Sequence, residues 1–204
     1  TRRSSDLLIS PDSSRVVYLA DEDTDNVYEI FSVPLAGGSA VKLNPALTAD
    51  GDVLDQEIAP DSARVVYRAD QNDDEVRELF SVPLAGGASV RVSDDLAVGG
   101  DVASFKIAPA SDFVFYVADL ATDGVHELFR GSIFEISGAD VRVSGPMVAG
   151  GDAHSSPDWF PPLPDGRGAI YIADQEVDDQ VDLYLGDICL LCDGFEAGDS
   201  GRWD

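Results

Sequence analysis

The sequence contains one segment repeated four times, and this internal repeat limits the folds that the chain can adopt. The first two copies read RVVYLADEDTDNVYEIFSVPLAGG and RVVYRADQNDDEVRELFSVPLAGG. The copies align on four tyrosines at spacings of 49, 49 and 55 residues: Tyr18, Tyr67, Tyr116 and Tyr171. A repeated unit of this length builds an array of similar modules, each packed on its neighbours. The expected repeats span residues 6–52, 53–101, 102–152 and 153–187, within a repeat region 1–187.

Each repeat predicts four short β-strands. The second and third strands, R-V-V-Y-x-A-D and V-x-E-L-F-S-V-P-L, are rich in the Val, Tyr and Phe residues that favour strands. Pro-Asp and Gly-Gly pairs next to these strands are typical of turns. Four strands per unit at a period of about 40 to 50 residues are typical of a propeller blade. The predicted fold is therefore all-β, a β-propeller or partial propeller of four four-stranded repeats with a period of about 49 residues.

The fourth repeat is expected to be incomplete, because its pattern ends at Asp187, after the third strand. A four-bladed ring and an open arc cut from a larger ring are both compatible with this pattern. An open arc would expose strand edges, which are templates for pairing with another chain. Residues 188–204 are expected to form a separate C-terminal tail.

The repeated strings resemble those of a known family. S-P-D followed by R-V-V-Y, and the L-F-S-V-P-L-x-G-G strand and turn, are similar to the TolB-like or PD40 branch of WD40-like propellers. The resemblance covers about Asp6 to Asp187, although Ala110 replaces the turn aspartate of the third copy. It implies a binding platform more often than an enzyme, but a fold alone does not set the function.

The turn between the second and third strands is acidic in every repeat. Counted from its first aspartate, each loop carries oxygen-bearing side chains at positions 1, 3, 5 and 9, except that the third loop lacks one at position 3. Calcium takes about six to eight oxygen ligands, so the pattern predicts calcium as a cofactor. The candidate ligands are Asp21, Asp23, Asp25, Glu29, Asp70, Asn72, Asp74, Glu78, Asp119, Asp123, Glu127, Asp174, Glu176, Asp178 and Asp182.

These acidic loops also resemble the D-x-D-x-D-G-x-x-D calcium hairpins of integrin-type propellers. Only Gly124 matches the glycine at position 6 of that motif, and Glu75 and Asp179 fit this position less well. Solvated acidic turns are the alternative to calcium sites, because Asp and Asn are good turn formers. The position-9 acid lies on a strand, where turn propensity does not explain it, and Arg15 or Arg64 is an alternative partner for it.

A Gly-Asp pair ends each of the first three repeats. The aspartates are Asp52, Asp101 and Asp152, and a propeller would place them beside the acidic loops. The pattern favours a simple glycine turn there over a contact between these aspartates and the loops.

The charge excludes several classes of partner. There are 39 acidic residues against 13 Lys and Arg, which gives a formal net charge of −26. Nucleic-acid binders need a basic face, and anionic lipid also repels such a chain. No apolar run reaches the roughly 18 residues of a membrane span, so we expect no membrane insertion. An acidic surface attracts basic partners, and we expect either a protein partner or self-assembly.

Catalytic motifs are poorly supported. His126 and His154 each occur once, outside the repeat pattern. The string Gly198–Gly201 reads G-D-S-G, but it lies in a polar tail without the partners of a catalytic triad. We therefore expect no enzyme, but a noncatalytic binding or scaffold module stabilised by calcium. The alternative is a structural subunit of an extracellular assembly or filament, joined through open strand edges and the tail.

The tail contains the only two cysteines, Cys189 and Cys192. Either a tight disulfide or two free thiols fit this spacing, and a disulfide would suit an oxidising compartment. Phe195 and Trp203 are predicted to dock against the propeller or a neighbour. The D-G-F-E-x-G-D string is similar to C-terminal segments of exported bacterial proteins, which implies a secreted, cell-surface or periplasmic location.

Overall fold

The chain folds into four antiparallel β-sheets, one for each sequence repeat. A computed structural model describes residues 7–134 and 140–187, together with the backbone of 201–202. In these ranges the only helix is a short 3₁₀ turn, Pro157–Trp159. The all-β prediction is confirmed, because branched and aromatic residues form strands on the expected pattern.

The strand order is the same in the first three sheets, and each sheet follows the chain from its first to its fourth strand. The first sheet contains β1 (Leu7–Ile9), β2 (Arg15–Ala20), β3 (Glu29–Pro34) and β4 (Val41–Lys42). The second contains β5 (Val53–Ile58), β6 (Arg64–Ala69), β7 (Glu78–Pro83) and β8 (Val90–Arg91). The third contains β9 (Val102–Ile107), β10 (Phe113–Ala118), β11 (Glu127–Ser132) and β12 (Val141–Arg142). The fourth contains β13 (Gly168–Ala173), β14 (Asp182–Asp187) and β15 (Gly201–Arg202).

The repeated tyrosine anchors the central strand pair of every sheet. Tyr67 on β6 lies opposite Phe80 on β7, and their rings stack with centroids 5.4 Å apart. The same cross-strand pair recurs in the other sheets at 5.4 to 5.7 Å. Aromatic pairs directly opposite each other stabilise a sheet through packing. The tyrosine spacing therefore marks the register as well as the repeat.

The fourth sheet is incomplete, as predicted, but the missing strand is not the expected one. Its fourth position is filled by β15 from the tail, with Arg202 opposite Tyr184, as Lys42 lies opposite Phe31 in the first sheet. The first-strand position is occupied only by isolated bridges to Ala173 and Ala169. The expectation that this repeat stops after its third strand is therefore wrong, because its last strand follows an insertion too long to match the period.

The molecule falls into two compact units, Thr1–Val92 with Ile133–Ile136 and Ser93–Ser132 with Ser137–Asp204. Each unit has a buried core between two successive sheets. We call the face of a sheet that is directed toward the next sheet along the chain its trailing face. The opposite face of a sheet, which is directed toward the preceding sheet, is its leading face. In the first unit, the trailing face of the first sheet packs on the leading face of the second. The first face contributes Val17, Leu19 and Ile30, and the second contributes Ile58, Val65, Tyr67 and Phe80. In the second unit, the trailing face Phe115, Val117, Leu128 packs with the leading face Ala169, Tyr171, Tyr184.

Candidate functional site: the acidic loops

The first aspartate of an acidic loop closes the loop and holds the connection that precedes its sheet. Oδ1 of Asp119 accepts a hydrogen bond from the N–H of Asp101 at 2.5 Å, and Oδ2 accepts one from Gly124 at 2.9 Å. Asp70 and Asp174 make the same two kinds of bond in their own loops. Backbone N–H groups thus donate hydrogen bonds to both carboxylate oxygens. These bonds are strong because the acceptor is charged. Asp21, the counterpart in the first loop, is exposed.

Backbone hydrogen bonds also tune the first aspartate of the fourth loop. Burial raises the pKa of Asp174, but hydrogen bonds from the N–H groups of Asp152 and Asp179 outweigh this and leave its pKa below the usual range. The carboxylate form therefore stabilises this loop at neutral pH, and the contribution is lost as the pH falls through the lowered pKa.

Position 6 of all four loops has left-handed backbone geometry. The φ angles are 63° at Asn26, 62° at Glu75, 75° at Gly124 and 62° at Asp179. Glu75 and Asp179 adopt this geometry although they lack the freedom of glycine, and the first aspartate of each loop accepts a hydrogen bond from their N–H groups. The loop conformation therefore does not require glycine here.

The Gly-Asp connections contact the acidic loops directly. Oδ1 of Asp52 accepts a hydrogen bond from the N–H of Tyr28, in the preceding loop, at 2.6 Å. Oδ1 of Asp152 accepts the matching bond from His126, also at 2.6 Å. The preference for a simple glycine turn is therefore wrong for these two residues. Asp52 and Asp152 each tie one acidic loop to the next through their carboxylate and their own N–H.

The position before each connection aspartate requires glycine, because the backbone of the following acidic loop approaches it closely. A Cβ atom on Gly100 would lie 2.5 Å from the carbonyl oxygen of Asp119 and 3.0 Å from its Oδ1. Gly151 has the same relation to Asp174, at 2.5 Å from the carbonyl oxygen. We call this arrangement the clasp: the Gly-Asp connection, the first aspartate of the following loop and the residue just before β3 or its equivalent.

In the first three loops, the position-9 acid is buried and forms an ion pair with a partly exposed cation from the fourth strand. Glu29 pairs with Lys42, Glu78 with Arg91 at 2.7 Å, and Glu127 with Arg142 at 2.8 Å. The three glutamates are buried, so these partners neutralise carboxylates that would otherwise be costly to bury. Burial of Lys42 lowers its pKa, but Glu29 and Asp23 outweigh this effect and hold the pKa above its usual value.

The prediction that Arg15 or Arg64 is the partner of a position-9 acid is wrong. Nε of Arg15 donates to Oγ of Ser32 at 2.7 Å, and Nε of Arg64 donates to Ser81 at the same distance. The sequence does mark the observed partners, because a cation follows a valine at the same position of three repeats, in the strings V-K-L, V-R-V and V-R-V. In the fourth repeat, β15 places Arg202 at that position, while Oδ2 of Asp182 accepts a bond from Gln180 at 3.1 Å.

Positions 3 and 5 are exposed in every loop. Asp23 lies 3.2 Å from Nζ of Lys42, and Asn72 donates to Glu78 at 2.5 Å. Two position-5 carboxylates lie against glycines of the preceding connection, Asp123 against Gly99 and Asp178 against Gly150. The remaining members of the predicted set, all exposed, are Asp25, Asp74 and Glu176.

The described ranges hold no group of three His, Cys, Asp or Glu side chains arranged to bind a metal ion. Positions 1 and 9 already have protein partners in most loops. Calcium therefore stays a prediction, and its ligands would come from positions 3 and 5. Cys189, Cys192, Phe195 and Trp203 lie outside the described residues. Within the described part of the chain, no helix is long and apolar enough to cross a membrane.

Replacing Asp52 with asparagine is expected to raise the free energy of unfolding slightly at pH 7, by less than about 1 kcal/mol. Burial raises the pKa of Asp52, the N–H of Tyr28 lowers it, and the Asp70 carboxylate raises it, with a raised pKa as the result. The protonated form is thus favoured in the folded state, and stability should rise as the pH falls through this pKa. Asparagine keeps the acceptor for Tyr28 without the charge.

Urea unfolding of the two variants Asp52→Asn and Asp52→Ala tests this expectation. Alanine removes the acceptor and should lower the unfolding free energy by about 0.5 to 1.5 kcal/mol. Equal losses in both variants would show that the charge of Asp52, and not only its oxygen, is needed.

No family model matches the chain, and no curated protein matches it. Solved structures do. A protein assigned as TolB in Agrobacterium tumefaciens is 17% identical with a TM-score of 0.58; the match covers 97% of this chain and 63% of that one. TolB from Acinetobacter baumannii is 13% identical with a TM-score of 0.54, and the match covers 96% of this chain and 42% of that one.

A third match is the β-propeller domain of the Trilobed protease from Pyrococcus furiosus, which has an open velcro topology. It is 14% identical with a TM-score of 0.54, and the match covers 97% of this chain and 56% of that domain. The chain thus spans less than two thirds of each of these three structures. Together with the four repeated antiparallel sheets, these similarities show that the fold is that of a partial β-propeller.

Proposed function

We propose that the chain is a noncatalytic binding or scaffold propeller whose acidic loops receive a basic protein partner. One observation carries this proposal: most loops use their first and ninth acids for internal structure, and all four present their third and fifth positions to solvent. The repeated loops are therefore held in place while part of their charge faces outward. Similarity to TolB structures supports a protein-binding role.

The two histidines lie outside the acidic positions assigned to the partner and have contacts within the fold. Nδ1 of His126 lies 3.5 Å from Oδ1 of Asp152, within the clasp. The ring of His154 packs edge-on against Trp159, with centroids 4.5 Å apart. Both residues thus have structural neighbours that explain their positions.

Electrostatics favours a basic partner. The chain has a formal net charge of −26, and in each unit two acidic loops carry exposed side chains at positions 3 and 5. Concentrated charge of one sign steers a partner of opposite charge and speeds its association. Because the charges are exposed, salt should weaken this binding strongly.

Neutralising the two position-5 carboxylates of the second unit is expected to weaken the binding of a basic peptide about threefold, the size expected for two exposed ion pairs. The variant is Asp123→Asn with Asp178→Asn. The matched control, Asp158→Asn with Asp165→Asn, removes the same charge at exposed positions outside the acidic loops. Titration calorimetry with oligolysine at low salt gives the affinities. Equal losses in the two variants would overturn the loops as the binding surface.

Calcium binding by the first two acidic loops is a second proposal. Asp23, Asp25, Asn72 and Asp74 supply exposed oxygens at positions 3 and 5. A site with a Kd near 0.1 mM would add about 2.7 kcal/mol of stability in roughly 10 mM calcium. We expect calcium, but not equal magnesium, to raise the Tm, and Asp23→Asn with Asp25→Asn to reduce the rise. A Tm that is the same in calcium and in EDTA would leave protein contacts alone as the support of the loops.

A structural role in an extracellular assembly is the other candidate. The observation that favours it is the exposed apolar residues on the first and last sheets, which include Leu7, Ile9, Ile170 and Leu183. The joining feature that this suggests is a sheet face rather than a strand edge. A secreted, cell-surface or periplasmic location is proposed with it, because an extracellular scaffold requires export.

A further inference from the structure

The second unit contains a cavity of about 340 Å³ beside the third acidic loop. The loop contributes Val125 to its lining, and the connection that follows β12 contributes Met147 and Val148. Glu127 and Arg142, the ion pair of this sheet, also line it. Small-molecule sites commonly have a volume of about 300 to 1,000 Å³ and combine an apolar lining with a few polar groups. The cavity therefore has the size and the composition of a small-ligand site.

The ion pair in this cavity keeps hydrogen-bonding groups that the protein does not use. Nη1 of Arg142 donates to Oε1 of Glu127 at 2.8 Å. Within residues 7–134 and 140–187, Oε2 of Glu127 accepts no hydrogen bond, and Nε and Nη2 of Arg142 donate none. Glu127 is buried, whereas the side chain of Arg142 is 46% exposed and so within reach of a ligand. The pair thus offers an acceptor and donors to a bound molecule, while its own charges cancel.

The second acidic loop shows which chemical group completes such a pair. There, Nδ2 of Asn72 at loop position 3 donates to Oε2 of Glu78 at 2.5 Å, and Arg91 donates to Oε1. Position 3 of the third loop is Ala121, which has no polar side-chain atom and lines the cavity. The carboxamide of the second loop therefore has no counterpart in the third loop, and the cavity lies at the position that would carry it.

We propose that this cavity binds a small aliphatic molecule that ends in a primary carboxamide. The amide N–H donates to Oε2 of Glu127, the amide carbonyl accepts from Arg142, and the apolar chain lies against Val125, Met147 and Val148. This site goes beyond the function proposed above, because it requires no basic partner.

The charges of the pair favour a neutral head group. An ammonium group could donate to Glu127, but Arg142 would repel it. A carboxylate could accept from Arg142, but Glu127 and the net charge of −26 would repel it. A carboxamide carries both a donor and an acceptor, so it satisfies both members of the pair without adding charge.

The test uses Met147, which is the only methionine of the chain. In the whole chain with an isotope-labelled methionine methyl group, NMR observes one methyl resonance, and it reports on the cavity. Pentanamide should shift this resonance saturably with a Kd of roughly 1 mM, because a ligand of few atoms binds weakly. Pentylamine and pentanoate replace the amide with a charge and should bind about fivefold more weakly, the effect of one hydrogen bond. No saturable shift with pentanamide, or equal affinity for a charged analogue, would overturn the proposal.

Ala121→Asn supplies the carboxamide from the chain itself, as Asn72 does in the second loop. This variant should bind pentanamide about fivefold more weakly, because the added side chain competes for Glu127. Ala110→Asn is the matched control, since it adds the same side chain at an exposed turn of the same unit that does not line the cavity. This control should bind like the wild type, and circular dichroism checks that both variants are folded. Equal affinities in the two variants would show that the ion pair does not hold the amide.

A free amide and a glutamine side chain of a protein share this chemistry, and a second titration distinguishes them. The ligands are the peptides Gly-Gln-Gly and Gly-Ala-Gly, blocked by acetyl and N-methylamide groups. A shift with the glutamine peptide alone would support a protein side chain as the ligand, and a shift with pentanamide but with neither peptide would support a small molecule. The same shift with both peptides would overturn recognition of the carboxamide. Oligolysine binding is measured separately, so the loop function can stand or fall without this result.

Discussion

Replacing Gly100 with alanine is expected to lower the free energy of unfolding by about 3 kcal/mol. The added Cβ would lie 2.5 Å from the carbonyl oxygen of Asp119 and 3.1 Å from that of Ala97. Both are backbone atoms, so the connection must move instead of a flexible side chain. That movement separates the N–H of Asp101 from the carboxylate of Asp119, and a lost hydrogen bond to a charged group costs about 1.5 to 3 kcal/mol.

Gly124→Ala is the matched control for this substitution. Gly124 has a left-handed φ of 75°, but a Cβ there would meet no atom within 4 Å. Alanine should therefore cost only the left-handed preference, about 1 to 2 kcal/mol. Urea unfolding of the two variants separates close approach from backbone preference. A larger loss at Gly124 than at Gly100 would mean that the clasp tolerates a side chain, and that the Gly-Asp connection does not hold the acidic loop.

The repeated sheets were predictable from the sequence, because each depends on neighbouring residues. The tyrosine of the second strand and the aromatic of the third strand lie within about 13 residues of each other, joined by a short loop. Strand propensity and turn residues fix such local pairs. The stacked pair of Tyr67 and Phe80 is the structural reason why the sequence aligns on tyrosine.

The clasp was not predictable in the same way, because its bonds join residues of different repeats. Asp52 accepts from Tyr28 in one loop and donates to Asp70 in the next, and these bonds exist only once two sheets have packed. The sequence correctly placed Asp52 beside the loops, but propensity alone described it as the end of a turn. The acids of loop positions 1 and 9 were likewise assigned to a metal, because a run of acidic residues does not reveal a partner on another strand.

The C-terminal strand shows a different limit. A period of about 49 residues predicts where the next strand should begin, and residues 188–200 separate β14 from β15. Pattern matching therefore ended the repeat at Asp187. Arg202 nevertheless continues the series of cations at the fourth-strand position that Lys42, Arg91 and Arg142 occupy. A search for a cation at that position, rather than for a fixed spacing, would have found it.

Replacing Arg91 with methionine is expected to lower the free energy of unfolding by about 3 kcal/mol, because it leaves the buried carboxylate of Glu78 without its cation. Asn72 remains as a donor to Glu78, but it carries no charge. The double variant Arg91→Met with Glu78→Gln removes the uncompensated charge and should recover most of the loss. Arg167→Met, at an exposed arginine, should change stability by less than about 0.5 kcal/mol.

Repeating the Arg91→Met measurement in calcium distinguishes the two roles considered for the position-9 acids. If Glu78 acts as the partner of Arg91, calcium should restore no more stability to this variant than it adds to the wild type, and only the Glu78→Gln change should restore it. A metal ligand would behave in the opposite way, because a divalent cation would replace the missing charge of Arg91 and Glu78→Gln would abolish that rescue. Recovery in calcium alone would therefore return the ninth position to the ligand set, and it would show that the ion pair with Arg91 substitutes for an absent metal.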